Sequence, residues 1–269
     1  MATEPDPVIE TRALVRRFGT LTAVDSVNLS VAAGEIVGLL GRNGAGKSTV
    51  VKILTTLLPP TSGTASVGGF DVVREAASVR RIIGYVPQAL SADGDLTGYE
   101  NLLVFAKLYD IPRAERARRI DESLAFMGLS EFSSKLVKTY SGGMIRRLEI
   151  AQSTLHRPRV LFLDEPTVGL DPVARLTVWE QVRQLQGQFR SAILLTTHYL
   201  EEAEELCHRV AIMNRGRLAV VGTPVELKAA VGHDATFEDV FEHFTSADSP
   251  LHGAYDETSR TRQAAGRLG

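Results

Sequence analysis

The sequence is short of several things, and each shortage excludes something. It has a single cysteine, Cys207, so no internal disulfide can form and a reducing compartment is expected. Aromatic residues make up only 6%, with one tryptophan, Trp179. Neither sign of charge is in surplus: 30 basic residues face 32 acidic ones, for a net charge of −2. That balance gives no electrostatic footprint for nucleic acid or an anionic membrane surface, so no nucleic-acid partner is expected. Long apolar runs are missing too. Stretches such as Ile36-Val37-Gly38-Leu39-Leu40 are far too short to span a bilayer. The segment Met1 to Pro7 offers acids and prolines where a signal peptide needs a basic start and an apolar stretch. What is present is ordinary: 269 residues, 44% of them apolar, enough for a core that needs no staples. A soluble cytoplasmic protein is the expectation.

Along the chain, strand and helix signals alternate around a helical middle. Val27, Leu29 and Val31 alternate with Asn28 and Ser30, as on a half-buried strand. Glu35–Leu40 is a short apolar run suited to a strand buried on both faces. Ser48–Leu58 reads as a helix stopped by Pro59-Pro60, the segment to Phe70 as turn-rich short pieces, and Ile82–Pro87 as a strand. From Thr97 to Arg157 the signals are helical: Tyr99–Tyr109, Pro112–Met127 and Gly142–Leu155. Then come strand Val160–Leu163, helix Pro172–Gln186, strand Ser191–Thr196 and helix Glu201–Leu206. Val210–Met213 and Leu218–Val221 flank a hairpin turn, and Phe237–Phe244 is an amphipathic helix. Few large apolar residues remain from Ser246 to Gly269, which predicts a disordered tail.

One segment carries specific chemistry. Gly41-Arg42-Asn43-Gly44-Ala45-Gly46-Lys47-Ser48-Thr49 lies between a buried strand and a helix and fits the GxxxxGK[ST] phosphate loop. Glycines let backbone N–H groups curl around phosphate oxygens, and the helix N-terminus adds positive potential. Lys47 is placed to reach the β/γ-phosphates and the Ser48 hydroxyl to ligate magnesium. Val160-Leu161-Phe162-Leu163-Asp164-Glu165 is an apolar strand ending in two acids, at the sheet edge where ligands bind. Asp164 suits magnesium, through water, and Glu165 suits polarising an attacking water.

Together with four further segments, these motifs resemble the nucleotide-binding subunit of ATP-binding cassette (ABC) transporters. Tyr140-Ser141-Gly142-Gly143-Met144 resembles that family's LSGGQ signature, Gln88 its Q-loop glutamine, Gly169-Leu170-Asp171 its D-loop and His198 its switch histidine. Phe18 stands where an aromatic stacks on adenine. The resemblance covers about Val8 to Val221. It implies an α/β fold, a P-loop NTPase sheet core with an antiparallel β subdomain and an inserted helical subdomain. The implied layout is an ATPase domain over 1–245, with the insert at about 89–158 and a short C-terminal extension at about 222–245. It also implies ATP and Mg2+ as cofactors, with Ser48, Gln88 and Asp164 around the metal, and catalysis by Glu165 and His198. Ser141, Gly142, Gly143 and Asp171 would then serve the ATP of a second copy or a homologous subunit. The partner of such a pair is a separate membrane permease, and the pair sits peripherally on the cytoplasmic side of the membrane.

The signature departs from the pattern, YSGGM for LSGGQ, so Met144 cannot make the glutamine's polar contacts. That variant, with Thr197-His198-Tyr199-Leu200-Glu201-Glu202-Ala203 and Phe237-Glu238-Asp239-Val240-Phe241, resembles the drug- and antibiotic-resistance exporter branch. The alternative is a soluble cassette ATPase working on ribosomes or DNA. Those usually carry two cassettes or long coiled-coil inserts, and no heptad run occurs here. A P-loop kinase or GTPase would lack Ser141-Gly142-Gly143 and His198. The acidic run Glu201-Glu202-Ala203-Glu204-Glu205 reads as a solvated helix start that favours the macrodipole.

Overall fold

The computed structural model describes residues 7–246; the tail expected from Ser246 to Gly269 lies, Ser246 apart, outside the described residues. Strands β1 (Ile9–Phe18) and β2 (Leu21–Val31) form an antiparallel pair, and β3 (Ile36–Leu40) runs into helix α1 (Lys47–Leu54). Next come β4 (Ser62–Val67), β5 (Phe70–Asp71), α2 (Ala76–Ile82) and β6 (Ile83–Val86). The helical middle holds α3 (Gly98–Leu108), α4 (Arg113–Phe126) and α5 (Gly142–Thr154). The last third contains β7 (Val160–Asp164), α6 (Pro172–Phe189), β8 (Ala192–Thr197), α7 (Leu200–Leu206), β9 (Arg209–Asn214) and β10 (Arg217–Gly222). Two short helices, α8 (Pro224–Val231) and α9 (Phe237–Thr245), follow.

Two sheets result. One is antiparallel, in the order β2-β1-β4-β5; the other runs β10-β9-β3-β8-β7-β6. In the second, β9, β3, β8, β7 and β6 pair in parallel and only the β9–β10 hairpin is antiparallel. This is the expected α/β arrangement. Every residue of β3, β7 and β8 is buried, because both faces of a parallel sheet are covered. Successive residues alternate between two cores. Ile36, Leu161 and Ile193 pack on the α3–α7 side, whereas Val37, Phe162 and Leu194 pack with α1 and the antiparallel sheet.

Local chemistry explains the boundaries. Helix α1 ends at Leu54, before the expected Leu58, because Thr56 turns left-handed (φ 65°) and the Leu57 and Leu58 N–H groups both fold back on the Lys52 carbonyl. The Asn214–Arg217 turn carries Arg215 and Gly216 at φ 47° and 84°, the two positive angles a tight hairpin turn requires.

Candidate active site

The phosphate loop, the end of β7 and the end of β8 meet at the C-terminal edge of the large sheet. An open cleft of about 540 Å³ lies there, lined by Phe18, Leu21, Ala23, Asn43 to Thr49, Gln88 and Glu165. Gly46 opens α1 at φ 109°, and an added Cβ there would meet the Ala23 carbonyl oxygen at 2.3 Å. Glycine is the residue this position tolerates. Gly44 (φ 81°) has nothing near an added Cβ, and Arg42, Asn43 and Gly44 are exposed. Gly41 and Ala45 are buried beneath them, and Thr49 is half-buried. Phe18 is 45% exposed, which removes a core role for its ring; the Arg16 guanidinium lies 4.7 Å from the ring centre.

Lys47 is buried, and its ammonium donates to the Gly41 carbonyl (2.7 Å) and the Arg42 carbonyl (3.3 Å). It also stands 3.5 Å from Glu165 Oε1. Burial lowers the Lys47 pKa, and the nearby Glu165 and Asp164 charges oppose that shift. A polyphosphate entering the cleft would offer Lys47 the full charge its carbonyl partners lack.

Asp164 and Glu165, adjacent in sequence, are held for different tasks. Asp164 Oδ1 accepts from Ser48 Oγ at 3.0 Å and from Thr196 Oγ1 at 2.6 Å. This cluster of hard oxygens fits Mg2+. Glu165 breaks from the strand into left-handed backbone, φ 51°, conformational strain of a kind that concentrates at functional sites. Its N–H is fixed by the Thr196 carbonyl (3.1 Å) and Thr196 Oγ1 (3.0 Å). Its Oε2 meets Gln88 Nε2 at 3.2 Å and His198 Nδ1 at 3.3 Å. Gln88, expected near the metal, is thus held on Glu165 and makes no hydrogen bond to Ser48 or Asp164 among the described residues.

Ser141, Gly142, Gly143 and Asp171 do not line this cleft. Ser141 caps α5, its Oγ accepting from the Met144 N–H (3.3 Å), and Asp171 caps α6, its Oδ1 accepting from Ala174 N–H (2.9 Å). The two helix starts abut: a Cβ on Gly143 would sit 2.8 Å from Ala174 Cβ. Ser141, Gly142, Asp171, Val173 and Leu176 are all exposed around them. Met144 is half-buried and packs against the core.

The structure adds residues that sequence reasoning missed. Arg146 donates to the Pro87 carbonyl (2.7 Å), the Gln88 carbonyl (2.7 Å) and Glu149 Oε2 (3.0 Å). Glu149 Oε1 in turn accepts from the Ser91 and Ala92 N–H groups. A buried ion pair therefore ties the Gln88 segment to the signature helix. Thr196 was equally unmarked. Glu202, expected in a solvated run, is fully buried, because α7 presses that face onto Thr167 and Trp179.

A buried-strand phosphate loop, a paired Asp-Glu strand end and a histidine on the same carboxylate define a P-loop nucleotide hydrolase. The sequence pattern of the ABC transporter family matches residues 24–168. The daunorubicin/doxorubicin resistance ATP-binding protein DrrA of Streptomyces peucetius is 44% identical over 256 residues, 92% of this chain and 77% of that protein. The linearmycin resistance ATP-binding protein LnrL of Bacillus subtilis is 37% identical, over 86% of this chain and 74% of its own length. A solved structure described as the ATP binding subunit of an ABC transporter superposes with a TM-score of 0.79 at 29% identity, covering 88% of this chain and 99% of that one. The chain belongs to the ABC transporter ATP-binding family, and it is an ATPase whose hydrolysis serves transport. The alternative of ribosome or DNA work finds no support among these relatives. No helix among the described residues is long and apolar enough to cross a membrane.

Proposed function

We propose that this chain hydrolyses ATP in the Lys47 cleft to drive a separate permease that exports a drug, antibiotic, lipid or similar compound. The convergence of Lys47, Ser48, Asp164, Glu165 and His198 on one sheet edge carries this reading, and the resistance proteins among its relatives support the cargo class. Phe18 takes the adenine face, and the Gly41–Thr49 loop, with its backbone N–H groups and Lys47, takes the phosphates. Ser48 and Asp164 hold Mg2+, with Gln88 nearby; the metal supplies charge neutralisation on the phosphate oxygens. Phosphate on Lys47 competes with its Glu165 contact, leaving Glu165 to orient and deprotonate the attacking water. His198, on the same carboxylate, marks whether the γ-phosphate is present.

The ATPase unit occupies 1–245, with the helical insert at about 89–158 and the extension at about 222–245. It works as a pair, with itself or a homologous subunit, on the cytoplasmic face of the membrane. The exposed starts of α5 and α6 carry Ser141, Gly142, Gly143 and Asp171 to the partner's ATP, since the Lys47 loop already gives its own nucleotide a helix N-terminus. Glu165→Gln should cut turnover by roughly a hundred-fold or more and accumulate ATP-bound dimers on size exclusion. Adding Ser141→Arg should abolish those dimers while ATP affinity stays that of Glu165→Gln alone. Loss of ATP binding by the folded monomer would return Ser141 to its own chain's site.

A further inference from the structure

Glu202 is the buried acid that the catalytic reading leaves without a task. It lies four residues beyond His198, in the first turn of α7, and has no exposed surface. Its Oε1 accepts from two donors, Thr167 Oγ1 at 2.8 Å and Trp179 Nε1 at 2.9 Å. Thr167 belongs to the turn that Glu165 opens, and Trp179 to α6. Helix α6 grips the same segment a second time, one turn earlier. The Arg175 guanidinium lies 4.6 Å from the Tyr199 ring centre and 3.6 Å from Glu201 Oε2. The Tyr199 ring in turn lies 4.5 Å from that of His198. Arg175 and Trp179 are four positions apart, on one face of α6, and together they hold the His198 segment from Tyr199 to Glu202.

We propose that Glu202 is a positioning residue: its carboxylate ties the His198 loop to the Glu165 turn and to α6, and so sets His198 against Glu165. The proposal rests on the assignment of Glu165 and His198 to the hydrolytic step. A carboxylate is a costly side chain for mere filling. Burial raises the Glu202 pKa, and the hydrogen bonds from Thr167 and Trp179 and the charge of Arg175 work against that rise. An apolar side chain would pack there without that desolvation cost but could not accept from two elements at once. The tie also has a direction. Helix α6 starts at the Asp171 cap, beside Gly143, so a shift of the His198 loop is delivered to the exposed patch formed by the starts of α5 and α6.

The test is a double-mutant cycle on the full chain, following ATPase kcat, KM and thermal midpoint. Glu202→Ala should lower kcat about ten-fold with KM within about two-fold of wild type, as misplacement of a catalytic group does. Glu202→Gln, which keeps an acceptor oxygen, should restore most of the loss. Trp179→Phe, which keeps an aromatic ring, though a smaller one, and removes one donor, should fall between. In the His198→Ala background, Glu202→Ala should cost nothing further. If it still costs its full ten-fold there, Glu202 does not act through His198 and the proposal fails. If His198→Ala alone turns over at the wild-type rate, the role of His198 is what fails, a distinct outcome. Should Glu202→Ala not fold, Trp179→Phe and Thr167→Val carry the same cycle, and additivity of either with His198→Ala overturns the proposal.

Discussion

Replacing Arg146 with methionine removes a guanidinium that is 98% buried beside an equally buried Glu149, each side chain being 2% exposed. Three hydrogen bonds go with it: those to the Pro87 and Gln88 carbonyls and to Glu149 Oε2. The larger effect is on what stays behind. Glu149 keeps its bonds from the Ser91 and Ala92 N–H groups but loses its countercharge inside the protein. Breaking one side of a buried pair costs about 3–5 kcal/mol. In a chain of this size that lowers the thermal midpoint by roughly 6–20 °C. Removing both charges with Arg146→Met and Glu149→Gln should recover more than half of the loss, because the amide oxygen still accepts from Ser91 and no charge is stranded. Differential scanning calorimetry of the single and double variants measures both numbers. A single variant within 2 °C of wild type would show that the pair does not hold the Gln88 segment. A double variant as unstable as the single would show that packing, and not a stranded charge, sets the cost.

Lys47→Ala should weaken ATP binding roughly 30-fold or more, the effect of deleting one partner of a desolvated charge pair; calorimetric titration showing wild-type affinity would remove Lys47 from the phosphate site. His156 adds a pH dependence. Its ring is half-buried, stacks on Tyr109 at 3.7 Å and has its pKa lowered to about 4, desolvation outweighing the hydrogen bond to the Ile83 carbonyl. Unfolded, it titrates near 6.5, so its contribution is intact above that pH and is lost as pH falls from 6.5 towards 4, where only the unfolded chain takes up the proton. Denaturant unfolding should show about 2 kcal/mol of this loss between pH 7 and pH 5. That slope should vanish in His156→Gln; an unchanged slope would assign it to other groups.

The sequence announces most of this fold where the local signal and the tertiary role coincide. The apolar runs of β3, β7 and β8 read as two-sided strands because they are buried on both faces. The turn at Arg215-Gly216 reads as a hairpin because Gly216 suits a positive angle and two apolar runs flank it, although Arg215 also turns positive there. Helix α2 was silent for the opposite reason: Val79 is its one buried residue, so no apolar period exists to detect. Helix α8 does carry a signal, Thr223 with Pro224 and Glu226, a capping box with proline in the first turn, but it is short and has one buried residue, Leu227, so no apolar period reinforces the cap. The site divides along the same line. Lys47, Ser48, Asp164 and Glu165 stand in local motifs. Thr196, Arg146 and Glu149 act on residues far away in sequence, so nothing around them marks their role. Glu202 is hidden in the sequence because a run of four acids in five residues resembles a solvated face, and only the packing of α6 shows which acid turns inward.

The order of strands in the large sheet has a consequence for how the chain is made. The phosphate loop hangs from β3, yet both neighbours of β3 are synthesised long after it: β8 begins at Ala192 and β9 at Arg209. The loop is also propped from the far end of the sequence, where the Gly216 N–H donates to the Ala45 carbonyl at 2.9 Å. A nascent chain that has passed the signature helix therefore carries every residue of the loop but neither of the strands that pair with β3. Its central strand waits with both hydrogen-bonding edges unpaired and its apolar faces uncovered, the condition under which partly made chains aggregate. ATP cannot template that early stage, because a ligand stabilises only the state that binds it. The matched span 24–168 contains much of the chemistry but neither strand that pairs with β3, and the loop gains its last backbone prop only when the β9–β10 hairpin arrives.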